Sequence, residues 1–151
     1  IVSSPLILSH DTTNDAVTDE IWPIISNTEV IAVNAAWAGD SGSVFMQSEQ
    51  HVILHTTSKA RGATVVPTWQ QWSKKLSDNS AAVLLMNNDA KTQTISLDFN
   101  TMPAFAGTEA TSSSYVVRDA YTHSDLGELS GFYSVSLESH DSAFLLLTLV
   151  E

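Results

Sequence analysis

The sequence predicts a mainly β fold, an antiparallel sandwich of roughly seven or eight strands. Three observations predict it. First, apolar residues alternate with polar ones in short runs: Tyr133, Val135 and Leu137 with Ser134, Ser136 and Glu138, and Ile95, Leu97 and Phe99 with Ser96 and Asp98. That period of two describes a strand with one dry face and one wet face. Second, polar turn clusters separate the runs at the spacing of a two-sheet sandwich. Third, 43% of the residues are apolar and only 15% are charged, with abundant Ser and Thr. That balance suits strands better than helices. No internal repeat is present.

In chain order, Leu6 to Leu8 is a short apolar run ended by Ser9-His10-Asp11. It reads as a buried strand leaving its sheet. A helix is expected from Asp19 to Ser26, capped by Thr18 or Asp19, with acidic residues at its positive end. Pro23 falls near the end of its first turn, where a missing N–H costs little. Val30 to Val33 fits a strand or a short helix. Ala38 to Ser43, AGDSGS, reads as a flexible joint. Val52 to Leu54 and Thr64 to Val66 read as strands around a basic loop, Lys59 to Gly62. Trp69 to Leu76 and Ala81 to Asn87 form a hairpin across Ser77 to Ser80. The Ile95 strand follows, then a Ser/Thr-rich loop, Thr108 to Ser114. Tyr115 to Asp119 is a strand, and Ser124 to Gly127 a turn. The alternating strand around Val135 and the all-apolar run Ala143 to Val150 complete an antiparallel unit. A run with no wet side implies burial between two layers.

The net charge is −11, with six Lys and Arg in all. Phosphate binding needs clustered basic residues, so a nucleic-acid partner is not expected. An anionic membrane surface is disfavoured for the same reason. No apolar run reaches the ~18 residues of a membrane span. The absence of cysteine excludes disulfides, thiolate metal sites and a cysteine nucleophile. The chain opens without a methionine or a basic leader, and Ile1-Val2-Ser3-Ser4-Pro5 reads as the middle of a longer chain. No Asn-x-Ser/Thr acceptor occurs.

Several constellations invite chemistry. Gly39-Asp40-Ser41-Gly42 matches four residues around a serine-protease nucleophile. About forty residues precede Ser41 with a single His10 among them, whereas such proteases spread His, Asp and Ser across two barrels. A linker is the better reading. His51 and His55 have metal-ligand spacing on a helix. On the strand read here they lie roughly 13 Å apart, too far for one metal, so no metal and no cofactor is expected. Asp11, Asp15, Asp19 and Glu20 are acidic, yet nothing sets two of them face to face as a glycosidase dyad. Trp69 and Trp72, with Tyr115, Tyr121 and Tyr133, fit an aromatic sugar platform or a sandwich core. Trp72 is assigned to the core, and Trp69 is kept as a candidate sugar contact.

Three collinear stretches carry a family resemblance. The last is Val117-Arg118-Asp119, Tyr121, His123, Asp125-Leu126-Gly127, Gly131, Tyr133-Ser134-Val135, and His140 before the Ala143-Phe144-Leu145 run. The second is Trp72, Lys74, Leu76, Ala82-Val83 and Asn87. The first is Ser4 to Ser9, Asp11, and Glu29 to Asn34. Together they resemble the C-terminal part of melibiase-type α-galactosidases of glycoside hydrolase family 27. The resemblance implies that residues 1–40 end a (β/α)8 barrel and that residues 41–151 form a C-terminal antiparallel β-sandwich. It favours helix for Val30 to Val33. It places Ser9, His10 and Asp11 at the active-site rim or just behind it, because barrel enzymes keep their chemistry at strand carboxyl ends, with a structural or supporting role favoured for Asp11. It also implies a retaining enzyme acting on terminal α-galactose or α-N-acetylgalactosamine, secreted or vacuole-like, whose two aspartates match no residue here. The sequence departs from the pattern at Thr12-Thr13, where Leu-Arg is usual, and at Ala35, where Gln is usual. A stand-alone sandwich that binds carbohydrate or protein is the alternative. The oligomeric state is not legible.

Overall fold

The computed structural model describes residues 1–9, 11–55, 63–106 and 114–150. Two helices precede ten strands among these residues. Helix α1 spans Asp15–Ile25 and α2 spans Thr28–Ala35. The strands are β1 (Ser43–Gln47), β2 (His51–His55), β3 (Ala63–Pro67), β4 (Trp69–Lys75), β5 (Ser80–Asn87), β6 (Gln93–Asp98), β7 (Ser114–Asp119), β8 (Ser124–Ser130), β9 (Phe132–Leu137) and β10 (Ser142–Leu149). Two 3₁₀ turns, Phe99–Thr101 and Pro103–Phe105, follow β6. The basic loop Lys59 to Gly62, most of the Thr108 to Ser114 loop and His10 lie outside the described residues.

Six strands form the main sheet in the order β1-β4-β5-β10-β7-β8, with β6-β9 and β2-β3 as separate two-stranded sheets. All pairings are antiparallel. The central strand is β10, paired through Leu145 to both Val83 of β5 and Asp119 of β7. Its all-apolar sequence follows from this place, since both of its faces are covered. On one face Leu145 and Leu147 join Val83, Leu85, Tyr115 and Val117 against Ile95, Leu97 and Leu137 of the β6-β9 sheet. Phe99 and Phe105 close that core against the Tyr115 ring at 5.0 and 5.1 Å. On the other face Phe144 and Ala82 pack with Ala120 and with Val33 of α2.

The structure revises five expectations. Leu6 to Leu8 form no strand; they have no regular secondary structure and are exposed, Ile7 at 88%. A strand needs a neighbour to hydrogen-bond, and none lies beside them among the described residues. Helix α1 begins earlier than Asp19, because Asn14 Oδ1 accepts the Val17 N–H and nucleates the first turn. Pro23 therefore falls well inside the helix, on a stretch with no buried residue. Ser124 to Gly127 is strand. The reversal precedes it, where Asp119 Oδ1 accepts the N–H groups of Tyr121 and Thr122 and His123 takes φ +57°. Gly127, at φ +89°, serves a bulge opposite Val117 and Arg118. Last, β7 to β10 are not one contiguous unit. Strand β9 crosses to the second sheet to pair with β6, and β10 returns to the middle of the first.

Candidate functional site

The densest long-range polar contacts gather where α2 meets the sandwich. Asn27 starts the helix. Its Oδ1 accepts from the N–H groups of Glu29 and Val30, and its Nδ2 donates to Ala120 O at 2.8 Å. One buried side chain thus caps the helix and ties it to the turn after β7.

Glu29, in the first turn of the helix, is gripped from the sheet. Arg118 of β7 donates through Nε and Nη2 at 2.8 to 3.2 Å, and His123 Nδ1 lies 2.8 Å from Glu29 Oε1. Arg118 Nη1 reaches Asp125 at 2.7 Å. The bulge makes this possible, because it sets Asp125 rather than Leu126 opposite Arg118. The donors of Arg118, then that of His123, pull the Glu29 carboxyl from 4.5 down to about 2. Its two carboxylate partners push the Arg118 guanidinium further up.

Lys74 of β4 finishes the helix. Only 2% exposed, its Nζ donates to Val33 O and Asn34 O at the α2 C-terminus and to Ser3 Oγ. A cation there complements the negative end of the helix and satisfies carbonyls the helix cannot. Desolvation lowers its pKa. Gly42 closes the same corner, its N–H donating to Ile1 O at 3.0 Å. A Cβ at Gly42 would lie 2.5 Å from that oxygen.

The arrangement is a clamp and holds no acid–nucleophile pair. Glu29 and Asp125 both face Arg118, and both carboxylate oxygens of Glu29 accept from it. Among the described residues no group of His, Asp or Glu is placed to hold a metal.

The predicted site residues lie elsewhere. Ser9 and Asp11 are exposed in the segment before α1, and Asp11 Oδ1 accepts from Thr13 N and Oγ1. Those two bonds lower its pKa. Trp69 packs half-buried against the main core. Trp72 lies on the opposite face, its Nε1 buried without a partner among the described residues. His51 and His55 do sit on a strand. Asn27, Glu29 and Lys74 were not legible as a set. Each is one residue in an unremarkable context, and only the crossing of helix and sheet brings them together.

The family model for the α-galactosidase C-terminal β-sandwich domain matches residues 67–147, more than half of the chain. The chain belongs to that family. It is 26% identical over 148 residues to an α-galactosidase of Cyamopsis tetragonoloba, covering 98% of this chain and 30% of that protein. Against α-galactosidase 3 of Arabidopsis thaliana it is 28% identical over 149 residues, covering 98% and 29%. Its fold matches α-galactosidase I of Mortierella vinacea with a TM-score of 0.75 at 24% identity, over 96% of this chain and 32% of that one. A Geobacillus stearothermophilus β-L-arabinopyranosidase matches at 0.61 and 15%, over 85% and 24%. The chain thus spans about a third or less of these proteins.

Proposed function

We propose that this chain is the C-terminal part of a retaining α-galactosidase, in which the sandwich holds the end of a catalytic barrel. One observation carries the reading. Leu6, Ile7, Leu8, Ile24, Ile25 and Ile31 line an open apolar groove of about 540 Å³ on the helical side of the molecule. Leu6 is 66% exposed, Ile7 88% and Ile24 74%. A stand-alone module leaves such a surface in water at roughly 25 cal/mol per Å². The end of a barrel covers it with neighbouring strands and helices. Residues 1–40 then belong to the barrel and residues 41–151 to the sandwich.

On this reading the chemistry is double displacement with two aspartates, one attacking the anomeric carbon and one acting as acid and then base. Both belong to barrel strands upstream of Ile1, so the 151-residue chain is inactive alone and needs no cofactor. Ser9, His10 and Asp11 are then candidates for the rim of the site or the layer just behind it, and Trp69 is a candidate sugar contact. The substrate class is a terminal α-galactoside or α-N-acetylgalactosaminide. The fold does not choose between sugars, since an arabinopyranosidase shares it. The relatives' resemblance supports a secreted or vacuolar protein.

The test is hydrolysis of a chromogenic α-galactoside. The 151-residue chain should show none above buffer, and an enzyme carrying this chain behind its barrel should turn over. Turnover by the chain itself, lost on Asp11→Asn, would overturn the reading.

A further inference from the structure

We infer that Lys74 is a positioning residue for the active site: its ammonium sets the register of the chain that runs from Ser3 towards Ser9 and Asp11. The inference rests on the α-galactosidase reading, in which that chain becomes the last strand of the barrel.

Three segments distant in sequence meet at this one side chain. Lys74 lies on β4 opposite Ala82 of β5, on the sheet face that carries α2. Its Nζ donates to Ser3 Oγ at 2.6 Å, to Val33 O at 2.5 Å and to Asn34 O at 3.5 Å. Two further bonds fasten the same run of chain. Gly42 N donates to Ile1 O at 3.0 Å, and Asn34 Nδ2 donates to Ser4 O at 2.8 Å. Ile1, Ser3 and Ser4 are thus tied to the joint, to the sandwich and to α2 in turn.

A lysine is a costly occupant of this place. It is 2% exposed, and no carboxylate pairs with it among the described residues. A buried charge held only by carbonyls and a hydroxyl loses its hydration, and a methionine would fill the same space without that loss. What a methionine lacks is three donors on one atom. Those donors join the carbonyls that end α2 to a hydroxyl on another segment. Departures of this kind from the most favourable packing are expected at functional sites.

The consequence travels along the chain. A strand rises about 3.3 Å per residue and does not stretch. Fixing Ser3 and Ser4 therefore fixes where Ser9 and Asp11 stand at the other end. A slip of one residue would turn every side chain between them to the opposite face. Lys74 touches neither the sugar nor the aspartate pair, and it acts through the strand.

The experiment is steady-state kinetics of the full-length enzyme carrying this chain behind its barrel, on a chromogenic α-galactoside, with Tm by calorimetry. The variants are Lys74→Met and Ser3→Ala, with Phe144→Ala as the control that loosens α2 and makes none of these hydrogen bonds. Lys74→Met should raise KM at least about fivefold while kcat stays within about twofold, because the edge of the site moves and the aspartate pair does not. Ser3→Ala should raise KM at least about twofold with Tm nearly unchanged. Phe144→Ala should lower Tm and leave KM alone. A merely structural lysine would behave like Phe144: fewer folded molecules, a lower apparent kcat and the same KM. That result overturns the inference. Should Lys74→Met fail to fold, Ser3→Ala decides, and an unchanged KM there overturns it. An unaltered enzyme without turnover overturns the α-galactosidase reading and this inference together. Turnover in the unaltered enzyme with KM unmoved in both latch variants overturns this inference alone.

Discussion

Phe144→Ala should strip α2 from the sandwich, and the magnitude follows from where the ring lies. Phe144 is 3% exposed and packs with Val33, Ala82 and Ala120, flanked by Ile1, Val30, Leu84 and Leu146. Its ring also tilts against Tyr121 at 5.8 Å. Removing it forfeits about 1.5–3 kcal/mol of transfer free energy. Because the sheet below is held rigid by β5 and β7, collapse is incomplete and a cavity term adds, bringing the loss to about 3–5 kcal/mol. For a chain of this length each kcal/mol lowers Tm by about 2–4 °C, so the fall should be roughly 6–20 °C by calorimetry. Hydrogen exchange separates this site from the main core. Phe144→Ala should speed exchange in Val30 to Ala35 selectively, whereas Leu97→Ala should destabilise the sandwich without that preference. A Tm within about 2 °C of the unaltered chain, or α2 amides no faster than those of β6, would refute the placing of Phe144 as the helix's seat. In an enzyme carrying this domain, the Phe144→Ala molecules that remain folded should keep near-normal turnover.

Other tests address the polar clamps and the joint. Glu29 is held well below its ordinary pKa, so its contribution is fully present above about 4.5 and is lost as pH falls towards about 2. Glu29→Gln should flatten denaturant-measured stability across that window, and a slope unchanged by the substitution would remove Arg118 and His123 as its partners in solution. Asn87 is 2% exposed and donates to Lys91 O, Leu137 O and Glu138 O while accepting from Asp89 N. Asn87→Ala should cost about 1–3 kcal/mol in chemical denaturation by leaving buried carbonyls unpaired. Limited proteolysis should cut first among the exposed Gly39, Asp40 and Ser41 and release a resistant piece starting near residue 43. A first cut inside β4 or β5 would place the boundary elsewhere. His123→Ala, Asp125→Ala and His140→Ala in an active parent should leave turnover nearly unchanged, measured with a chromogenic substrate.

The sequence alone determined the local elements. Alternation at Tyr133, Val135 and Leu137 marked β9 because a pleated strand turns successive side chains to opposite faces. The unbroken apolar run at Ala143 to Leu147 marked a strand covered on both sides, as β10 is. The polar turn Ser77 to Ser80 marked the β4–β5 hairpin, whose register the structure shows from Trp69↔Asn87 to Lys75↔Ala81. These signals span a few residues, and local sterics and solvation suffice to set them.

Tertiary structure decided what each face meets. The period that made Phe144 a core residue does not say which core, and the fold seats it against α2 rather than between the sheets. Ser124 to Gly127 has the composition of a turn, yet it is drawn into β8 by pairing with β7, because ladder hydrogen bonds across strands outweigh a weak local preference. Leu6 to Leu8 has the composition of a strand and joins no sheet, for want of an edge beside it among the described residues. Glu29 and Arg118 are 89 residues apart, and no spacing rule links them. Their ion pair exists because β10 inserts between β5 and β7 and so brings Arg118 under the first turn of α2. Pairing over such separations follows from closing the whole chain, a global outcome that no short window of sequence contains.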